Sequence, residues 1–276
     1  MADEHVPSGF GAATPAPVFV GRDAEIDRLR AHVVEARRAR GRLVVVAGEA
    51  GIGKTRLCEE VAPEAREHGF VTHWAACAQF AGHPAYSCWS QFLAQMGHAF
   101  PAPNGDLDVR RDAETARRVV FESVAALLRR ASAAAPRLLV LDDIQWADDA
   151  SIVLLSYLAP VLRTLPVLML VTRRVDDADA GRDLLRDVER QAVILALRGL
   201  TPSAVGELAS SCVAAPVSDV QAGAVHELTA GNPLFARELV AHLATTSTLE
   251  SFASGQVRGV PRTVREIQAA RLDHVS

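Results

Sequence analysis

The chain has 276 residues, which is enough for one large domain or for a medium-sized domain and a small one. Hydrophobic residues make up 49% of it and the net charge is −4, so the composition suits a globular protein and gives no general electrostatic footprint for nucleic acid. The longest apolar region, residues 152–171, is interrupted by two prolines and an arginine. It predicts a helix, a turn and a strand, not a membrane span, and we therefore expect a cytoplasmic protein.

The N-terminal part predicts a leader followed by a helix. Residues 1–17 have neither a basic start nor an apolar run, so we expect a disordered leader and no signal peptide. Asp23 then marks a helix start with further acids in the first turn. This helix is predicted to continue towards Arg40 and to stop at Gly41.

A phosphate-binding loop (P-loop) with the spacing G-x-x-x-x-G-K-T follows the first predicted strand. Its glycines let successive backbone N–H groups point at phosphate oxygens. We expect Lys54 to reach the β- and γ-phosphates and to act in catalysis, and Thr55 to be a ligand of Mg²⁺. A strand before the loop and a helix after it argue against the alternative, a glycine-rich turn that binds nothing. The predicted nucleotide-binding residues of this segment are Gly48, Glu49, Ala50, Gly51, Ile52, Gly53, Lys54, Thr55 and Arg56.

Four residues within a short segment could be drawn as a zinc site: His73, Cys77, His83 and Cys88. His73 and Cys77, however, span the end of a predicted strand, where side chains alternate between the two faces and would not converge. The favoured interpretation is that the cysteines are reduced residues of the core or of loops in a cytosolic protein.

Two adjacent acids follow the predicted strand at 137–141. A carboxylate at the carboxyl end of a strand beside the P-loop can hold Mg²⁺ directly or through water, and an adjacent one can orient or deprotonate the attacking water. We assign Asp142 to the metal and Asp143 to the water, and so to catalysis. The alternative is that the two acids only cap a turn.

Two arginines follow the predicted strand at 166–172. An arginine at this position, on the same edge of the sheet as the P-loop, could reach the γ-phosphate and report its presence. Arg173 and Arg174 are both candidates. The alternative is that either side chain is simply solvated.

Strands and helices alternate up to about residue 199, and the sequence is purely helical afterwards. This pattern predicts an α/β, three-layer P-loop domain at 18–199 with a parallel sheet of about five strands. A small all-α, lid-type domain at 200–276, truncated at its C-terminus, is expected to follow. The predicted strands are 43–47, 69–75, 137–141, 166–172 and 192–197, and the later helices are 89–96, 113–134, 203–212, 219–230 and 233–245.

Six segments form a combination more specific than any one of them. They are Phe19-Val20-Gly21-Arg22 with Glu25, the P-loop, Leu141-Asp142-Asp143-Ile144-Gln145-Trp146-Ala147-Asp148, Thr172-Arg173-Arg174, Gly231-Asn232-Pro233-Leu234-Phe235, and Val260-Pro261-Arg262-Thr263-Val264-Arg265-Glu266-Ile267 with Arg271-Leu272. Together they resemble the ATPase modules of STAND-type NTPases. They resemble especially the N-terminal region of the large ATP-binding LuxR-type transcriptional regulators.

The resemblance implies further roles for individual residues. Val20, Gly21 and Arg22 would approach the adenine and the ribose, and Pro233 would pack near the base. Arg174, and not Arg173, would be the γ-phosphate sensor. Trp146 and Asp148 match the same pattern; Trp146 is expected to be a packing residue, and no chemical role is assigned to Asp148.

The function implied is an ATP-dependent switch, in which ATP with Mg²⁺ favours one arrangement of the two domains and ADP another. Hydrolysis is expected to be slow, because Asp143 is one methylene shorter than a glutamate base. The family pattern continues into repeats and a DNA-binding helix-turn-helix that this chain does not show. Expected partners are therefore ATP or ADP, a protein partner or the missing sensor and effector domains, and a nucleotide-dependent oligomer. A P-loop phosphotransferase and a scaffold that binds nucleotide without turnover are the alternatives.

Overall fold

The computed structural model describes residues 18–77, 84–101, 113–175 and 183–245. The predicted leader, His83 and the tail segment that begins at Val260 lie outside these residues. Contacts divide the chain into an α/β unit, Arg22–Gly199, and a helical unit that joins the residues up to Gly21 to those from Leu200 onward.

The α/β unit is built around a sheet of five strands in the described residues. The strands are β1 (Arg42–Gly48), β2 (Val71–Ala76), β3 (Arg137–Asp142), β4 (Val167–Arg174) and β5 (Val193–Ala196). The helices are α1 (Asp23–Arg37), α2 (Lys54–Glu67), α3 (Ser87–Gln95), α4 (Ala113–Ala134), α5 (Asp149–Leu162) and α6 (Asp183–Gln191). The strand order is β2-β3-β4-β1-β5, and every neighbouring pair is parallel. The predicted α/β fold with a five-stranded parallel sheet is confirmed.

Near-continuous apolar strands explain this architecture. In β1, every residue after the first is buried, because helices cover both faces of a parallel sheet. Val45, Leu139 and Met169 lie in one core cluster with side chains of α3, α4, α5 and α6. Burying a side chain of this size contributes about 1.5–3 kcal/mol, so the core holds the carboxyl ends of the strands in a fixed register.

Helix α3 covers the open edge of the sheet at β2. The side-chain amide of Gln95 accepts from the backbone N–H of Trp74 (3.0 Å) and donates to its carbonyl (2.6 Å). Gln91, one helical turn earlier, pairs in the same way with Ala76, at 3.3 and 3.2 Å. The two glutamines therefore replace a neighbouring strand and leave fewer unpaired backbone groups at this edge.

Several predicted element ends differ from those of the structure, and helix α1 and strand β4 show the reasons. Helix α1 starts at Asp23 with Arg22, not Asp23, as the N-cap residue, and it ends at Arg37. It stops before Arg40 because Ala39 adopts a positive φ of 57°, which turns the chain out of the helix. Strand β4 is longer than predicted and includes both arginines, because its pairing with β1 continues until Arg174 lies opposite Gly48.

The helical unit contains α7 (Pro202–Val213), α8 (Asp219–Thr229) and α9 (Pro233–Thr245). Thr201 caps α7 by accepting from the Ala204 N–H, and Pro202 occupies the first turn of that helix. Leu208, Val225 and Leu239 form part of one core shared by the three helices.

Gly21 belongs to the helical unit and cannot carry a side chain there. It has a φ of +66°, and a Cβ atom at this position would lie 2.4 Å from the Cβ of Ala204. Val20, next to it, packs against the core of the same unit.

None of the described helices could cross a membrane. The longest of them, α4, has 22 residues, but four arginines and two glutamates lie along its exposed face.

Candidate functional site

The P-loop joins the carboxyl end of β1 to the first turn of α2. Gly51 and Gly53 have φ values of +75° and +100°, conformations that glycine adopts without a steric penalty. Gly53 is the N-cap residue of α2, and a Cβ atom built there would lie in open space. The loop therefore leads directly into a helix N-terminus, whose first N–H groups have no partner within the helix.

Lys54 is the only lysine of the sequence and is almost fully buried, with 6% of its surface exposed. Its Nζ donates to the carbonyl oxygens of Gly48 (3.0 Å) and Glu49 (2.8 Å), both in the loop itself. A buried ammonium needs such acceptors, because an uncompensated charge in this environment is costly. The structure thus places the predicted phosphate-binding cation inside the loop that is predicted to hold the phosphates.

Arg22 contacts the backbone of the P-loop. Its guanidinium donates to the carbonyl oxygens of Ile52 (3.1 Å) and Arg198 (2.7 Å) and pairs with Glu25 at 3.3 Å. Burial lowers the pKa of Arg22, and the Glu25 carboxylate partly opposes this effect. The side chain therefore contacts P-loop backbone, and an approach of Val20, Gly21 and Arg22 to adenine and ribose stays a prediction.

Asp142, the last residue of β3, receives hydroxyl donors from two sides. Thr55 Oγ1, in the first turn of α2, lies 2.9 and 3.1 Å from the two carboxylate oxygens. Thr172 Oγ1, on β4, donates to Asp142 Oδ1 at 2.6 Å. The structure therefore brings the two predicted Mg²⁺ ligands, Thr55 and Asp142, into direct contact.

Asp143 has an unusual backbone conformation and a closely held side chain. Its φ is +57°, and its N–H donates to Thr172 Oγ1 at 2.8 Å. Its Oδ1 accepts from the side-chain amide of Gln145 at 2.8 Å, and its Oδ2 lies 3.5 Å from Arg174 Nη2. A non-glycine residue in the left-handed region that is held by several partners is typical of functional sites.

The two arginines at the end of β4 point to different partners. Arg173 pairs with Glu189 of α6, whereas Arg174 pairs with Asp143. Of these two ion pairs, only that of Arg174 involves one of the two adjacent acids, Asp143. This geometry supports Arg174 as the γ-phosphate sensor, which stays a prediction.

The residues that the structure brings together fit a nucleotide with Mg²⁺. The hydroxyl of Thr55 and the carboxylate of Asp142 are hard oxygen ligands of the kind that Mg²⁺ takes, and they lie within 2.9 Å of each other. Beside them, the N-terminus of α2 and the Lys54 ammonium are suited to phosphate oxygens. Arg56 follows in the first turn of α2, where its guanidinium pairs with Glu59 and Glu60.

Residues 18–171, more than half of the chain, match the AAA ATPase domain. The chain belongs to this family. It is therefore a nucleotide-binding ATPase module of the AAA type, and its family implies nucleotide binding, usually with Mg²⁺. No curated protein matches the sequence.

Solved structures share the fold of this AAA ATPase domain. A Walker-type ATPase of Pyrococcus abyssi is 14% identical with a TM-score of 0.52, over 92% of this chain and 75% of that one. A STAND protein of Pyrococcus horikoshii with a tetratricopeptide repeat sensor is 23% identical with a TM-score of 0.52, over 85% of this chain and 32% of that one. Cdc6p of Pyrobaculum aerophilum is 13% identical with a TM-score of 0.57, over 89% of this chain and 65% of that one. At these identities the similarities show the fold alone.

Sequence reasoning assigned no role to two residues at the centre of this site. Thr172 is fully buried and links Asp142 to the backbone of Asp143, and Gln145 links the side chain of Asp143 to the N–H of Arg174. Both residues lie in segments that carried the STAND resemblance. The resemblance is the only sequence signal that could have pointed to Thr172 and Gln145, because no local sequence motif marks either residue.

Asp148 and Trp146, which also matched the pattern, have structural roles. Asp148 is the N-cap residue of α5, accepts from Ser151 through both N–H and hydroxyl, and also accepts from the N–H of Tyr86 at 3.1 Å. Burial would raise the pKa of Asp148, but these hydrogen bonds outweigh it and lower the pKa below its usual value. Trp146 packs against the core, as expected.

The zinc interpretation finds no support in the described part of the chain, where no group of three metal-binding side chains occurs. His73 instead contacts Arg137, with Nε2 and Nη1 3.1 Å apart. Cys77 and Cys88 are buried free thiols whose side chains hydrogen-bond each other. That hydrogen bond, followed by burial, raises the pKa of Cys77.

Pro233 is the first residue of α9, in the helical unit. The preceding Gly231 accepts from the N–H of Leu200 at 2.8 Å, and the side chain of the buried Asn232 accepts from the N–H of Leu234 at 3.2 Å. The motif thus ties the start of α9 to Leu200, two residues before α7. A contact of Pro233 with the base stays a prediction.

Proposed function

We propose that this AAA ATPase domain is a signalling switch that binds ATP with Mg²⁺ and hydrolyses it slowly. The observation that carries the proposal is the contact of Thr55 Oγ1 with the Asp142 carboxylate at 2.9 Å, with Asp143 and Arg174 paired beside it. These contacts bring the P-loop, two oxygen ligands of the kind that Mg²⁺ takes, a second carboxylate and an arginine together in one place, which supports the proposal. A binding loop alone would not require the last two.

The P-loop side of the site would hold the nucleotide. The amides at the start of α2 and the ammonium of Lys54 would bind the β- and γ-phosphates, and Lys54 would then exchange its two carbonyl acceptors for phosphate oxygens. Thr55 and Asp142 would hold Mg²⁺, which when bound neutralises charge on the phosphates.

The acid side of the site would sense and cleave the γ-phosphate. Arg174 is paired with Asp143, and a γ-phosphate would attract the guanidinium more strongly than one carboxylate does. Asp143 Oδ2 would then be available to orient the attacking water. ADP has no γ-phosphate, so the pair would persist, and the two nucleotides would favour different states of the same side chains.

The wider role is inferred from likeness. The solved STAND protein carries a repeat sensor, and the LuxR-type regulators that the sequence resembles carry sensor and effector regions. We infer that this domain transmits its nucleotide state to a protein partner or to such domains, in the setting of transcription control, and that nucleotide binding favours an oligomer. The first alternative is a domain that binds nucleotide and never turns it over.

The test uses the purified chain, a fluorescent ATP analogue and a phosphate-release assay without any acceptor. For Lys54→Ala we expect ATP affinity about 30- to 150-fold weaker, because a charge-assisted contact is lost. For Asp143→Ala we expect affinity near that of the wild type and turnover lower by about 100-fold or more. Equal ATP affinity in the wild type and Lys54→Ala would overturn the proposal.

The sequence offers an independent control. Because Lys54 is the only lysine, an amine-acylating reagent can modify only this side chain and the N-terminal amine. ATP with Mg²⁺ should protect Lys54 from acylation while the N-terminal amine stays reactive, as measured by mass spectrometry. If the wild type binds ATP without releasing phosphate, the result would favour a domain that binds nucleotide and never turns it over. Phosphate transfer that occurs only with an added acceptor would favour a phosphotransferase.

A further inference from the structure

Gln145 is a buried polar side chain in the short 3₁₀ helix Ile144–Trp146, two residues after Asp143. Its amide nitrogen donates to Asp143 Oδ1 at 2.8 Å, and its amide oxygen accepts from the N–H of Arg174 at 3.1 Å. One side chain therefore connects the two groups that the proposed function assigns to water and to the γ-phosphate.

The chemistry of its two partners determines the orientation of this amide. A carboxylate only accepts hydrogen bonds and a backbone N–H only donates them, so the amide nitrogen must face Asp143 and the oxygen must face Arg174. Glutamate in place of Gln145 could not donate to the carboxylate, and asparagine would be one methylene too short. The position therefore calls for glutamine by chemistry as well as by size.

The bond to Gln145 also determines how the carboxylate of Asp143 is turned. The backbone of Asp143 is held by Thr172, and its Oδ1 is held by Gln145. Its Oδ2 is thereby directed towards Arg174, on the side where the proposed function requires a free oxygen for water. A carboxylate held at one oxygen has lost its freedom to rotate about the last side-chain bond.

We infer that Gln145 is a positioning residue for ATP hydrolysis, which aims the carboxylate of Asp143 and keeps it in register with Arg174 at the end of β4. It acts through these two residues and not on the nucleotide itself. The inference rests on the proposed function, since it assigns Gln145 a part in the turnover that Asp143 carries out.

The first test is Gln145→Met, which keeps the length and apolar bulk of the side chain and removes its hydrogen bonds to Asp143 and to the N–H of Arg174. We expect the affinities for ATP and ADP to stay close to those of the wild type and the single-turnover rate to fall by about 10- to 100-fold, as for other residues that orient a catalytic group. In an Asp143→Asn background the same substitution should cost less than about twofold, because residues that act as a unit are not additive. Hydrogen exchange at the end of β4 should rise, because the N–H of Arg174 loses its acceptor.

The matched control is Gln191→Met. Gln191 is a half-buried glutamine of the α/β unit that donates to Ser156 Oγ at 2.8 Å, but it touches neither Asp143 nor Arg174 in any of the hydrogen bonds above. We expect the single-turnover rate of Gln191→Met, and the hydrogen exchange at the N–H of Arg174 in this variant, to match those of the wild type. Equal losses in the Gln145 and Gln191 variants would indicate general destabilisation and overturn the inference.

The outcomes separate this inference from the proposed function. If the wild-type chain binds ATP but releases no phosphate, the proposed hydrolysis fails and the role of Gln145 fails with it. If the wild type turns over and Gln145→Met does so at the same rate, only the inference is overturned. If Gln145→Met lowered the single-turnover rate by the same factor in the Asp143→Asn background as in the wild type, this result would also contradict the inference.

Discussion

The two halves of the site are built in different ways. The P-loop half is one continuous segment, and the contacts of Lys54 described above are with backbone carbonyls of that same segment. The acid half is assembled from the end of β3, the 3₁₀ helix and the end of β4, through side chains about thirty residues apart in the chain. The first half should therefore depend on local conformation and the second on tertiary packing.

This difference suggests that the halves also divide the work. Changes in the P-loop should alter nucleotide binding, and changes in the acid half should alter the response to the γ-phosphate. A residue of the acid half whose loss weakened ATP and ADP binding equally would contradict this division. Arg174 is the residue to test.

For Arg174→Ala we expect the preference for ATP over ADP to fall by about 10- to 100-fold, because a charge-assisted contact with the γ-phosphate would be lost. Titration of both nucleotides by calorimetry measures this ratio. Arg173→Ala is the matched control, because Arg173 pairs with Glu189 and not with Asp143. An unchanged ratio in Arg174→Ala, or an equal change in the control, would contradict the assignment.

The same difference explains what could be predicted from the sequence. The P-loop and its flanking strand and helix are local patterns, and the five-stranded parallel sheet follows from apolar runs that alternate with helices. Arg174 was proposed by resemblance, and the structure adds its partner, Asp143. Gln145 was missed because its two bonds depend on a carboxylate turned by a positive φ and on an N–H 29 residues away, and neither is visible in local spacing.

Thr172 and Thr55 belong to different halves of the site, and each donates a hydroxyl hydrogen bond to Asp142. Thr172 is fully buried and also accepts from the N–H of Asp143, so Thr172→Val leaves that amide without its acceptor. We expect Thr172→Val to lower the free energy of unfolding by about 1–3 kcal/mol, as for other buried polar groups left unpaired. Denaturant unfolding of the nucleotide-free chain measures this loss.

The control for this prediction is Thr55→Val, which should weaken Mg²⁺-dependent ATP binding and change stability less. Thr55 serves the ligand set, whereas Thr172 holds the acid half together. If Thr55→Val proved to be the more destabilising of the two in the absence of nucleotide, the division between a local half and a packed half would be wrong.

The smallest effect concerns the support of β3, the strand that ends at Asp142 and is followed by Asp143. Its outer neighbour is the edge strand β2, where His73 is almost fully buried and faces the guanidinium of Arg137. Burial, and secondarily the charge of Arg137, lowers the pKa of His73 to about 4. In the unfolded chain the pKa of a histidine is about 6.5, so between this pH and the folded-state pKa the unfolded state binds the proton and the folded state does not.

The contribution of His73 to the free energy of unfolding should therefore be fully present above pH 6.5. It should fall as the pH drops from 6.5 towards 4, by about 1 kcal/mol between pH 7.5 and 5.5. Replacing His73 by glutamine, which does not titrate, should remove this part of the acid sensitivity and leave the rest, as measured by denaturant unfolding at both pH values. Hydrogen exchange at pH 5.5 should rise in β2 and β3 before it rises in β1, because β1 lies between β4 and β5 and is not a neighbour of β2 in the sheet. Equal slopes of stability against pH in the wild type and in His73→Gln would contradict this prediction. Exchange that rises first in β1 would instead show that the P-loop half is the less stable of the two.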